Sequence, residues 1–126
     1  MIWPSRSSLP VVLTSVARFF YRIVKSNPPT EDDFASNFSR GRRPRRSEIL
    51  NPEEHRSISV YERREDALAT QRLFPVLGAY LAELELADDE IEIAIHKADD
   101  NPNDSHYNLR GDPSLFLVRI RRVFPA

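Results

Sequence analysis

The chain has 126 residues, 18 Lys and Arg against 19 Asp and Glu, a net charge of -1, and a composition that is 40% hydrophobic and 29% charged. That supplies one hydrophobic core and argues against both a second domain and a disordered chain. With no cysteine, a disulfide scaffold, a thiolate nucleophile and a cysteine metal site are excluded, and His55, His96 and His106 are too dispersed for ligand spacing, so no metal site is expected.

Residues 1–17 are expected to form a poorly ordered or short helical leader. Its apolar block, Leu9 to Leu13, is short and interrupted by Pro10. Although Ser15-Val16-Ala17 is spaced like a signal-peptidase site, the block before it is too brief for a secretory segment, and a cytoplasmic protein is expected. No run reaches the ~20 apolar residues of a membrane span.

Residues 18–126 are expected to be a single domain. Phe19 to Val24 is aromatic and β-branched around one arginine and predicts a strand, with Phe20, Arg22 and Val24 on one face and Tyr21 and Ile23 on the other. Pro28 and Pro29 end it. Thr30 and Asp33 resemble a capping box, and Phe34 and Phe38 repeat at i, i+4, predicting a helix. Arg40 to Arg46 holds five arginines with Gly41 and Pro44 and no apolar period, so it predicts an exposed loop. Asn51-Pro52-Glu53-Glu54 predicts a short helix.

Ser57 to Tyr61 alternates as a strand, with Ile58 and Val60 facing the core and Ser57, Ser59 and Tyr61 opposite. Glu62 to Phe74 predicts the longest helix, ended by Pro75 and Gly78. Tyr80 to Leu86 and Ile91 to His96 both alternate across Ala87-Asp88-Asp89 and predict an antiparallel hairpin. Asp100 to Ser105 predicts a loop, and Asp112-Pro113 the start of a brief helical turn. Phe116, Val118 and Ile120 alternate with Leu117, Arg119 and Arg121 as a terminal strand. The sum is α+β, a single small domain with a mixed or antiparallel sheet and two to three helices.

Three features bear on function. Clustered guanidinium groups, those of Arg42, Arg43, Arg45 and Arg46 above all, bind phosphate in bidentate pairs and suit a nucleic-acid contact, although a basic loop also serves as plain solvation. The hydroxyls of Ser57, Ser59 and Tyr61 suit the lining of a cleft or the outer face of an ordinary strand. The predicted hairpin gathers Glu83, Glu85 and Glu92 on a polar face, where paired carboxylates serve acid-base chemistry or simply discourage edge pairing.

A spaced set of residues, Tyr21-Arg22, Lys25-Ser26-Asn27-Pro28-Pro29-Thr30, Asp33-Phe34, Gly41-Arg42-Arg43-Pro44, Ser59-Val60, Phe74-Pro75, Leu77-Gly78, Ala82-Glu83-Leu84, His106-Tyr107 and Gly111-Asp112-Pro113, resembles a family of small bacterial proteins of no established activity. The likeness runs from about Tyr21 to Val118 and implies a bacterial cytoplasmic protein. A second resemblance is to ADP-ribosyltransferase-like folds, in which an early-strand arginine, a serine on a second strand and a later acid form a cleft for NAD. It implies Arg22 as the phosphate-binding arginine, Ser59 or Ser57 as the orienting hydroxyl, and Glu83, Glu85 or Asp112 as the carboxylate. Tyr61, His106 and Tyr107 would then be the cleft walls.

Two readings follow. One is an NAD-cleaving transferase of toxin or defence type, which requires Arg22 and Ser59 to open into one pocket with a carboxylate inside it. The other is a non-catalytic module, antitoxin-like or an adaptor, that binds a protein or nucleic-acid partner through Arg40 to Arg46.

Overall fold

Alternating apolar residues draw six segments into one sheet: β1 (Ala17–Val24), β2 (Ile58–Tyr61), β3 (Tyr80–Ala87), β4 (Ala94–Lys97), β5 (His106–Arg110) and β6 (Ile120–Pro125). The computed structural model describes residues 16–98 and 105–126. Most of the expected leader and of the loop Asp100 to Ser105 therefore lies outside the described residues. The strand order is β4-β5-β2-β1-β3-β6 and every neighbouring pair is antiparallel. Four helices, α1 (Arg46–Leu50), α2 (Pro52–His55), α3 (Arg64–Leu73) and α4 (Pro113–Arg119), and two 3-10 turns, Glu31–Phe34 and Pro75–Leu77, complete an α+β domain. None of its described helices is long and apolar enough to cross a membrane.

The period-two pattern gives the sheet two unlike faces. On the first, Phe20, Val24, Ile58, Val60, Ala82, Leu84, Leu86 and Leu109 pack with Ile93 and with the Phe34 and Phe116 side chains. The rings of Phe34 and Phe116 stack at 5.7 Å, which fastens the first 3-10 turn to α4. On the second face α3 lays Ala67 on Ile23 and Leu81, with Tyr21, Tyr61, Leu68 and Phe124 around them.

The predicted hairpin does not form. Both edges of β3 are occupied, by β1 along its whole length from Ala17↔Ala87 to Val24↔Tyr80 and by β6 from Tyr80↔Pro125 to Leu84↔Ile120. The segment after β3 runs away from it to the far edge of the sheet, where β4 pairs with β5. Ile91 is left almost wholly exposed, whereas Ile93 is buried in the core.

The C-terminal segment also differs from expectation. Asp112 Oδ1 accepts from the Ser114 amide at 2.9 Å and the Ser114 hydroxyl at 2.8 Å, and with Pro113 in the first turn the helix continues through Arg119 before β6 begins. Phe116 thereby reaches the core and Val118 faces solvent. His106–Arg110, which no sequence pattern marks as a strand, is one because Val60↔Tyr107 and Ile58↔Leu109 align its apolar residues with those of β2.

Gly78 lies where the chain passes beneath β1. Its φ is +154°, and a Cβ there would sit 2.2 Å from the Val24 carbonyl oxygen, a backbone atom that cannot step aside. Gly78→Ala is therefore expected to destabilise the domain by about 3 kcal/mol. Urea unfolding of the two proteins checks this, and an unchanged midpoint would contradict it.

Candidate functional site

The pocket required of an NAD-cleaving enzyme is not assembled. Arg22 shares the first face with Phe20 and Val24, while Ser59 follows the register of Tyr61, opposite Tyr21, onto the second. The Arg22 guanidinium instead caps backbone, donating Nε to the Asp33 carbonyl at 3.1 Å and Nη1 to the Ser59 carbonyl at 3.0 Å. Burial, then the nearby charge of Arg40, lowers the Arg22 pKa to about 10.

The other candidates are dispersed. Ser57 donates its hydroxyl to the Glu53 carbonyl at 2.7 Å. Tyr61 and His106 stack at 5.1 Å on the second face, but Tyr107 packs on the first, its ring 5.3 Å from that of Phe20.

The carboxylates have structural tasks. Burial alone would push the Glu83 carboxyl up, but hydrogen bonds from Tyr21 Oη at 2.7 Å and Arg122 Nε at 2.9 Å outweigh it and hold the pKa down. Glu83 is thus a fixed anion, unsuited to exchange a proton near neutrality. Glu85 pairs with Arg121 at 3.2 Å, Glu92 lies 3.8 Å from Arg119, and Asp112 caps α4. The three glutamates are not gathered on a hairpin face.

The arginine segment has a different organisation. A turn closed by the Arg42 amide on the Asn37 carbonyl at 2.9 Å, with Gly41 at φ +70°, leads through Pro44 into α1. Arg42, Arg43, Arg45 and Arg46 are all exposed. Arg45 contacts Glu48, but the side chains of Arg42, Arg43 and Arg46 make no hydrogen bond, ion pair or ring contact among the described residues. Arg110, Arg119, Arg121 and Arg122, by contrast, each bind a glutamate. Beside the segment the half-exposed Phe38 carries the Arg56 guanidinium 3.8 Å above its ring, and Ile49 and Leu50 stand in solvent.

The root of this segment is Glu48, which sequence reasoning missed. Only 2% exposed, it accepts from the Arg45 amide at 2.8 Å, Arg45 Nη2 at 3.1 Å and Asn37 Nδ2 at 3.1 Å, and lies 3.3 Å from His55 Nδ1. It thereby joins both ends of the arginine run to α2. The available signal was its place three residues after Arg45 at a helix start, the N3 position of a capping box.

Burial acts to raise the Glu48 pKa, but the bonds from the Arg45 side chain and backbone and from Asn37 prevail, taking it from 4.5 to about 2. A carboxyl depressed on folding stabilises above its unfolded value of 4.5, and that stabilisation is lost as pH falls through 2. Glu48→Gln is expected to lower stability at pH 7 by about 2 kcal/mol, with the deficit narrowing steadily as the pH falls from 5 to 2. Denaturant titrations across that range check the sign; a deficit that widens in acid would contradict it.

Comparison with protein-family models, with characterised proteins and with solved structures finds no match to this chain.

Proposed function

We propose that this domain is a non-catalytic binding module that takes a single strand of nucleic acid on the surface formed by Arg42, Arg43, Arg45 and Arg46. The observation that carries the reading is the uncommitted charge of Arg42, Arg43 and Arg46 in a protein whose acids slightly outnumber its bases. Nearby carboxylates are engaged elsewhere: Glu48 in the root of the segment, Glu53 with Arg110 at 2.8 Å, and Glu54 with the Ser47 hydroxyl at 3.2 Å. Positive potential is therefore left facing outward, and planar guanidinium forks match phosphate oxygens in pairs.

Phosphate contact gives affinity without sequence preference. The half-exposed ring of Phe38 adds an aromatic surface on which a splayed base stacks once Arg56 swings aside. Rooting the segment on a buried carboxylate lowers the ordering cost of binding, an advantage that a purely solvating loop does not need.

Fluorescence anisotropy with a labelled single strand of about 16 nucleotides tests this. Binding at low salt should weaken on a log-log plot with a slope of about -2, as expected for three phosphate contacts. Joint replacement of Arg42, Arg43 and Arg46 by Gln should reduce affinity by at least about tenfold, whereas Arg72→Gln, on α3, should not. Absence of binding at low salt, or equal binding by the triple variant, would overturn the reading.

A further inference from the structure

At the foot of the arginine segment two guanidinium groups rest on successive backbone carbonyls. Arg22 Nε donates to the Asp33 carbonyl and Arg40 Nη2 to that of Asp32. Both acceptors are neutral. The Asp33 carboxylate acts on Arg22 through its charge alone, its oxygens being taken by the Lys25 amide at 2.8 Å, the Ser26 hydroxyl at 2.7 Å and the Thr30 amide at 3.0 Å. The Asp32 carboxylate lies 3.6 Å from Arg40 Nη2, but its side chain is 78% exposed and free to turn into solvent.

Arg40 Nε is buried with no acceptor among the described residues. Although the Arg40 side chain is 22% exposed, its Nε is covered, and a covered charged donor is satisfied by a water or an ion. Burial first and the neighbouring Arg40 charge second lower the Arg22 pKa, with Asp33 and Tyr61 acting in the opposite direction. An anion that reaches Arg40 Nε satisfies the orphaned donor and offsets the charge that Arg40 places beside Arg22.

We propose that Arg22 and Arg40 form a discrete site for a phosphate dianion, the group shared by inorganic phosphate and by the 5′ end of a nucleic-acid strand. Two guanidinium groups match a doubly charged terminal phosphate better than the singly charged diesters along a strand. Only the strand-end form rests on the nucleic-acid reading above; the free-ion form stands without it.

The experiment has two arms. Phosphate is titrated into the protein by calorimetry at constant ionic strength with chloride as the balancing anion, and anisotropy compares the same oligonucleotide with a 5′-phosphate and with a 5′-hydroxyl. Saturable phosphate binding that falls about tenfold or more in Arg40→Gln supports the site. So does a 5′-phosphate preference that vanishes in that variant. Arg22→Lys keeps the charge and removes the fork, and should show the same loss if its urea midpoint reports a folded protein.

A preference for the phosphorylated end identifies the strand as the source, and equal oligonucleotide affinities with phosphate binding identify the free ion. Neutralising Arg42, Arg43 and Arg46 should weaken both oligonucleotides alike. If neither oligonucleotide binds, the titration alone decides. Absence of both phosphate binding and end preference overturns the site, as does either one persisting unchanged in Arg40→Gln.

Discussion

The path of the chain after its central strand is set by one buried carboxylate, that of Asp33. It gathers the amides of Lys25 and Thr30 and the hydroxyl of Ser26, closing the proline-containing loop onto the end of β1. Burial opposes the ionised form, yet these donors hold the pKa below its ordinary value. With the loop closed, the Asp33 carbonyl faces Arg22, whose other arm reaches the Ser59 carbonyl of β2. Only one residue pair is in ladder register between β1 and β2, Tyr21↔Tyr61, so this guanidinium bridge supplements a short seam at the middle of the sheet.

Around that frame the charges divide into two populations. On the second sheet face and near α4, arginines and glutamates neutralise one another: Arg122 with Glu83, Arg121 with Glu85, Arg119 with Glu90. Such partly exposed pairs contribute little stability individually. Their effect is to neutralise charge locally, in contrast to the segment between Arg42 and Arg46, where the Arg42, Arg43 and Arg46 side chains have no carboxylate partner among the described residues.

Local chemistry made several elements legible in the sequence. The alternation of β1 and β2, the Pro52 and Asp112-Pro113 helix starts and the exposure of Arg42 to Arg46 all follow from residues a few positions apart, whereas Arg40 is partly buried and Arg46 opens α1 instead of extending the loop. Partner choice was not legible. Tyr80–Ala87 followed by a turn and another alternating run fits a hairpin as well as it fits a strand whose neighbours are β1 and β6, and only the finished sheet distinguishes them. Leu115 to Val118 satisfies both periods over so short a span, and the Asp112 cap decides in favour of the helix. For the site, the arginines were visible but their anchor Glu48 was not, and the side chains named for an NAD cleft separated because residues 22 and 59 fall on opposite parities of paired strands.

The stacked rings of Phe34 and Phe116 join a turn near the start of the domain to the helix that precedes its last strand. Contacts between distant parts of a chain form late, since the intervening loop must close before they are rewarded. During synthesis the ribosome must therefore deliver the chain as far as Phe116 before the turn bearing Asp32 and Asp33 has its aromatic backing. A product halted before Phe116 carries the five arginines of Arg40 to Arg46 and lacks the ring on which that turn rests.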